Sequence, residues 1–252
     1  MTTPLPKRRY TSSLENYWRG MFNDFAALDE DHAVSGWSAQ GLCLRFEAYC
    51  RVLKKLALNP GARILDLGCG AGVYSRFLGG LDYRVVGVDY AWKVAAKARK
   101  NSEDCGAAFL AGDAGILPFA DGIFDHVLCI GLFQSLSCYQ EVIREIYRVL
   151  KPGGPLCLMT LNRRNLGTRF DRLLNHEEII MVDSQPQPRL STYDPKALEQ
   201  DLQRAGFNGI EDYPVQIYPR SLAWIRPFFG VWNRIPLAGY LSARSIMLLG
   251  YK

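Results

Sequence analysis

The run Ile64-Leu65-Asp66-Leu67-Gly68-Cys69-Gly70-Ala71-Gly72 constrains this chain more than any other stretch. Arg63–Leu67 is apolar, follows the turn Asn59-Pro60-Gly61, and ends at three alternating glycines, so it reads as a buried strand. Glycine adopts positive φ without penalty and lets another molecule approach the backbone closely. Val73–Leu78 then reads as the helix after the turn, its free N–H groups aimed back at the glycines. Strand, glycine turn and helix together make a ligand site at a strand's carboxyl end.

The chain goes on alternating. Arg84–Val88, Ala107–Leu110, Phe124–Ile130 and Leu156–Leu161 read as strands, with helices over Ala91 to about Glu103 and Tyr139–Leu150. Lys151-Pro152-Gly153-Gly154 stops the second helix through a missing donor and two permissive glycines. Asp194 caps a helix that runs to Ala205, with Pro195 at its first position and Gly206 behind it. Phe207–Tyr213 and Ser245–Tyr251 read as the last strands. Alternation of this kind predicts an α/β fold, a doubly wound Rossmann-like parallel sheet covered on both faces. Residues 1–58 form a helical, aromatic-rich region, broken near Gly36 and Gly41, which is expected to act as a lid. Residues 59–252 are expected to be the ligand-binding domain, with insertions at about 162–193 and 214–243.

A dinucleotide enzyme usually presents Gly-x-Gly-x-x-Gly at the first turn. This chain presents Asp66-x-Gly68-x-Gly70-x-Gly72, with Cys69 inside the loop. An acid at position 66 repels a pyrophosphate and suits an ammonium group. The second strand runs into Asp89 and Tyr90, where a carboxylate is placed to accept ribose hydroxyls. Asp113 and Ala114 follow the third strand, and Asp113 is placed to accept from an adenine amine. Ile130 ends the fourth strand as an apolar wall. Each acid alone is equally a capped turn. Together, at successive strand ends, they describe an adenosine bearing an amino-acid ammonium, namely S-adenosyl-L-methionine, with S-adenosyl-L-homocysteine as its product.

These segments resemble the class I S-adenosylmethionine-dependent methyltransferases, in particular the small-molecule branch that includes ubiquinone and menaquinone biosynthesis methyltransferases. Ile64–Gly72 resembles the family's first motif and Val85–Tyr90 its ribose-acid strand. Ala111–Phe119 is similar to its adenine motif with a Leu-Pro-Phe tail, and Phe124-Asp125-His126-Val127 to the start of its fourth strand. Glu145–Gly154 is similar to a recognisable family segment. The resemblance implies a seven-stranded sheet whose last strand is antiparallel. It also implies that acceptor specificity sits in the N-terminal region and the insertions, which match no substrate motif.

The acceptor is less legible. No Asp/Asn-Pro-Pro-Tyr/Phe motif follows the fourth strand, which argues against nucleobase amines and for an O-, C- or aliphatic N-acceptor on a small or lipid-like molecule. If a general base is needed, His32 and His176 are the candidates, because His126 opens its strand at the wrong end. Tyr17, Trp18, Gln134 and Tyr193 are candidates for closing the pocket or contacting substrate. The net charge of +5 neither requires nor favours nucleic acid as a partner. Aromatics interleaved with arginines in 214–243 suit a membrane-surface contact, a lid or a dimer interface, and equally a helix packed on the sheet. Seven cysteines without Cys-x-x-Cys pairs or zinc-ligand spacing fit free thiols in the cytoplasm. Monomer and homodimer both stay open. So do two other function classes: an RNA or protein methyltransferase, and a non-catalytic cofactor-binding regulator.

Overall fold

The computed structural model describes residues 13–103, 105–166, 179–182, 185–188, 190–217 and 241–252, with backbone alone for 179–182 and 185–188. Its strands are β1 (Arg63–Leu67), β2 (Arg84–Asp89), β3 (Ala108–Ala111), β4 (His126–Ile130), β5 (Pro155–Leu161), β6 (Ile179–Val182), β7 (Gln185–Pro188), β8 (Asn208–Val215) and β9 (Ser245–Tyr251). The described helices are α1 (Ser13–Phe25), α2 (Asp31–Val34), α3 (Ala39–Leu53), α4 (Val73–Gly79), α5 (Trp92–Lys100), α6 (Tyr139–Val149) and α7 (Pro195–Arg204).

Seven strands form one sheet in the order β3-β2-β1-β4-β5-β9-β8. The first five are mutually parallel, and β9 runs antiparallel to both its neighbours. The expected antiparallel last strand is therefore present. Strand order reverses at β1, which opens the crevice between the carboxyl ends of β1 and β4.

The two-residue period of the strands sorts the core into two layers. Leu65, Leu67, Val127, Cys129, Leu156 and Leu158 pack against α6 and α7. Ile64, Leu128, Ile130, Cys157 and Met159 pack against Ala48, Tyr49 and Val52 of α3 and Tyr74 and Leu78 of α4. His126 is fully buried in the second layer. Its Nδ1–H donates to the Pro155 carbonyl at 2.9 Å, so its Nε2 accepts from the Tyr49 hydroxyl at 3.2 Å. Burial pushes its pKa down to about 4 and keeps the ring neutral.

Two details differ from the sequence reading. The N-terminal helices part at Gly36, whose φ is +66°, whereas Gly41 lies inside α3. Ser38 caps that helix by accepting from the Gly41 N–H at 3.1 Å, and Arg45 reaches back to the Gly41 carbonyl at 3.0 Å. A side chain at 41 would stand 3.0 Å from the Arg45 guanidinium, so this glycine makes room and does not break the helix. The insertion near 162–193 contains an antiparallel ribbon, β6 with β7, although Pro186 and Pro188 weaken any strand signal there.

Candidate cofactor and acceptor cavity

A cavity opens above the switch point, with about 1100 Å³ of empty space, mouth included. Its floor is the glycine loop, Gly68, Cys69 and Gly70, together with Leu67 and Val88. Gly68 and Gly70 have φ of +76° and +52°, which only glycine takes without strain. A Cβ on Gly70 would lie 3.2 Å from the Ser35 hydroxyl, so the loop backbone is bare where a ligand would rest on it.

Asp89, Tyr90, Asp113, Ala114 and Ile130 all stand on the cavity wall. Asp89 is held by two backbone donors, Gly70 N–H to Oδ2 at 3.0 Å and Ala91 N–H to Oδ1 at 2.9 Å. Burial raises its pKa, and these amides oppose the rise. The carboxylate is fixed, and each oxygen keeps a lone pair for a hydroxyl. Asp113 is oriented by the Gly115 N–H at 2.8 Å. Below it, Arg148 donates to the carbonyls of Leu117 and Phe119 while Glu145 accepts from the Leu117 N–H. The segment Glu145–Gly154 thus carries side chains that brace the Asp113 loop from α6.

Asp66 and Gly72 do not line the cavity. Asp66 sits on the α4 face of β1, fully buried, and accepts from the Ser75 hydroxyl at 2.6 Å. Burial raises its pKa to about 7 despite that hydrogen bond. Gly72, at φ +83°, has Phe109 and Ala98 within 3.1 and 3.2 Å of where a side chain would start, so it seats the loop on α5 and β3.

Trp18 and Gln134 line the cavity, while Tyr17 stacks edge-on against Trp18 outside it. Tyr193 is buried in the core, its hydroxyl donating to the Phe133 carbonyl at 2.7 Å. His32 lies half-buried in α2 and does not line the cavity. His176 and most of 214–243 fall outside the described residues.

Several wall residues escape a motif search. Glu15, Arg19, Trp37 and Tyr74 all line the cavity. Glu15 is 5% exposed, and the Arg19 guanidinium stacks 4.7 Å above the Tyr90 ring. Trp18 Nε1, Trp37 Nε1 and the Tyr74 hydroxyl are buried without a hydrogen-bond partner among the described residues. The only signal for Glu15, Arg19 and Trp37 was the aromatic density of the N-terminal region, which reads first as packing, and Tyr74 lies in the first turn of the helix after the glycine loop. The cradle of bare glycine backbone, the fixed Asp89 carboxylate and these orphaned donors fit an amphipathic ligand such as S-adenosylmethionine.

Residues 65–158 match the family model described as a methyltransferase domain. An uncharacterized methyltransferase of Synechocystis is 37% identical over 113 residues, 44% of this chain and 52% of that protein. A demethylmenaquinone methyltransferase of Thermus thermophilus is 41% identical over 101 residues, 38% of this chain and 46% of its own. The chain thus spans about half the length of the curated relatives it matches. Among solved structures, a Thermotoga maritima S-adenosylmethionine-dependent methyltransferase described as a possible histamine N-methyltransferase superposes with a TM-score of 0.61. It is 19% identical, and the match covers 95% of this chain and 99% of that one. This chain thus has a methyltransferase domain at residues 65–158, set in the fold that the Thermotoga S-adenosylmethionine-dependent methyltransferase shares.

Proposed function

We propose that the protein transfers a methyl group from S-adenosylmethionine to a small, apolar or lipid-like acceptor at an oxygen, carbon or aliphatic nitrogen. The observation that carries this reading is the continuity of the glycine loop, Asp89 and Asp113 on one cavity wall. Asp89 would accept from the ribose hydroxyls, and Asp113 from the adenine amine. The bound cofactor supplies an electrophilic methyl group on a sulfonium. The residues around it hold the reactants in line and keep water out, which accounts for much of the rate in reactions of this kind. Trp18, Leu42, Leu132 and Leu136 give the remaining wall apolar surface beside Glu15, Arg19 and Gln134. Residues 1–58 act as a lid on the domain formed by 59–252, since α1 and the loop after α2 supply part of that wall.

The demethylmenaquinone methyltransferases among the relatives support a small-molecule acceptor. No helix among the described residues is long and apolar enough to cross a membrane. Seven free thiols are in keeping with a reducing compartment, and we place the protein in the cytoplasm. Incubation with methyl-labelled S-adenosylmethionine and fractionated lysate tests the reading, with Asp89→Ala as control. Label in an organic-soluble product that is lost in the variant supports it. Label in RNA or protein would replace it with the macromolecular alternative, and cofactor binding without transfer would replace it with a regulatory role.

A further inference from the structure

Among the described residues Arg45 is a buried cation without a counter-ion. It is 7% exposed, it donates to the Gly41 carbonyl, and its guanidinium stacks 4.4 Å from the Trp37 ring. Among the described residues no carboxylate pairs with it, and Arg244 adds a like charge. Burial lowers its pKa to about 10. Removing a charge from water without a partner is among the most costly arrangements a fold can keep.

The surroundings repeat the deficit. Trp37 separates Arg45 from the cavity, and its Nε1 has no acceptor. The Tyr74 hydroxyl, in the first turn of α4 and on the same cavity wall as Trp37, has none either. The indole N–H and the hydroxyl can donate and lack an acceptor, and Arg45 has one carbonyl for its five N–H groups. They gather at the β4 end of the cavity, where a Cβ on Gly131 would lie 2.5 Å from Trp37. Asp89, Tyr90 and Asp113 occupy the opposite, β2–β3 end.

We propose that Tyr74, Trp37 and Arg45 form a receiving corner for a carboxylate, with the hydroxyl and indole N–H donating to it and the guanidinium balancing its charge. Two carboxylates have the required chemistry: the amino-acid end of the cofactor, and an acid group on the acceptor. The first source rests on the methyltransferase reading above; the corner itself does not.

The test compares wild type with Arg45→Met and Tyr74→Phe by calorimetric titration. One arm uses S-adenosylhomocysteine and its analogue lacking only the carboxylate. The other uses benzoate, with and without saturating S-adenosylhomocysteine. If the cofactor's carboxylate is the occupant, wild type prefers S-adenosylhomocysteine over the analogue by tenfold or more, and Arg45→Met abolishes that preference. If an acceptor acid is the occupant, the two nucleosides bind alike and benzoate binds wild type but not the variant. Should no nucleoside bind at all, the methyltransferase reading fails, and benzoate alone still decides the corner. The ligand-free Arg45→Met protein is expected to melt no lower than wild type, because an apolar chain of similar length replaces an unpaired charge. A fall in Tm beyond 5 °C would mark Arg45 as structural and overturn the proposal. Unchanged nucleoside preference together with unchanged benzoate binding would also overturn it.

Discussion

The Glu15 carboxylate on α1 accepts two hydrogen bonds from Ser137, one from Oγ at 2.8 Å and one from the backbone N–H at 3.2 Å. The pair joins the first helix to the loop that follows β4, across a separation of 122 residues. Lys93 N–H to Asn23 Oδ1 at 3.0 Å ties the other end of α1 to α5. Between these ties α1 places Trp18, Arg19 and Phe22 on the cavity wall.

Cutting the Ser137 tie should therefore loosen the lid. A hydrogen bond to a charged group contributes about 1.5–3 kcal/mol. Glu15→Ala is expected to weaken S-adenosylhomocysteine binding by roughly ten- to a hundredfold, chiefly through faster dissociation. Glu15→Gln keeps one acceptor oxygen and should lose less. Stopped-flow dissociation rates measure both. Equal rates in wild type and Glu15→Ala would show that α1 does not hold the ligand.

Arg148 should act on the cofactor from a distance. It touches no part of the cavity, yet it anchors the loop that carries Asp113 through Leu117, Phe119, Glu145 and Asp121. Arg148→Met leaves the part-buried carbonyls of Leu117 and Phe119 without this donor and takes the ion pair from Glu145, at a cost of about 1–3 kcal/mol for an unsatisfied group. The expected outcome is a lower Tm together with weaker binding of adenosine-containing ligands. Lower stability with unchanged adenosine affinity would show that the loop keeps its shape without Arg148.

How much of this was legible in the sequence depended on whether a residue's role was local. The strand, the glycine turn and the helix around Gly68–Gly72 follow from period and from glycine's allowed φ, and the fold reads directly. Asp89 and Asp113 were legible because a strand end points at the crevice whatever else the protein does. Asp66 was harder. Its side chain follows the two-residue period onto the α4 face, where Ser75, nine residues later, takes the hydrogen bond. The wall contributed by Glu15 and Trp37 depends on how α1 and the loop before α3 dock, and no local pattern encodes docking.

Asp66 and His126 should pull stability in opposite directions over one pH range. The Asp66 pKa is about 7 folded and 3.8 in its ordinary state, so the folded chain binds the extra proton in that window, and stability falls as pH rises. The His126 pKa is about 4 folded against 6.5, so the unfolded chain binds the extra proton, and stability falls as pH drops. The two slopes nearly cancel in wild type. Asp66→Asn removes the first term and keeps an acceptor for Ser75. Its Tm should exceed the wild-type value at pH 8, with the gap closing towards pH 4. A gap that stays constant with pH would mean that Asp66 does not titrate in this range.

Gly131 offers the sharpest steric test of the cavity. Its φ is +83°, and a Cβ there would lie 2.5 Å from the Trp37 ring. The ring is backed by the buried Arg45 guanidinium, so it has little room to retreat. Gly131→Ala must therefore move Trp37 into the cavity or shift the end of β4. Gly61 supplies the control, with φ +73° and open space around its missing Cβ. Both alanines carry the left-handed strain of about 1–2 kcal/mol, so both should lower Tm. Only Gly131→Ala should also reduce S-adenosylhomocysteine affinity, by tenfold or more, because only it displaces a wall residue. Equal affinities in the two variants would mean that the ligand does not lie against Trp37.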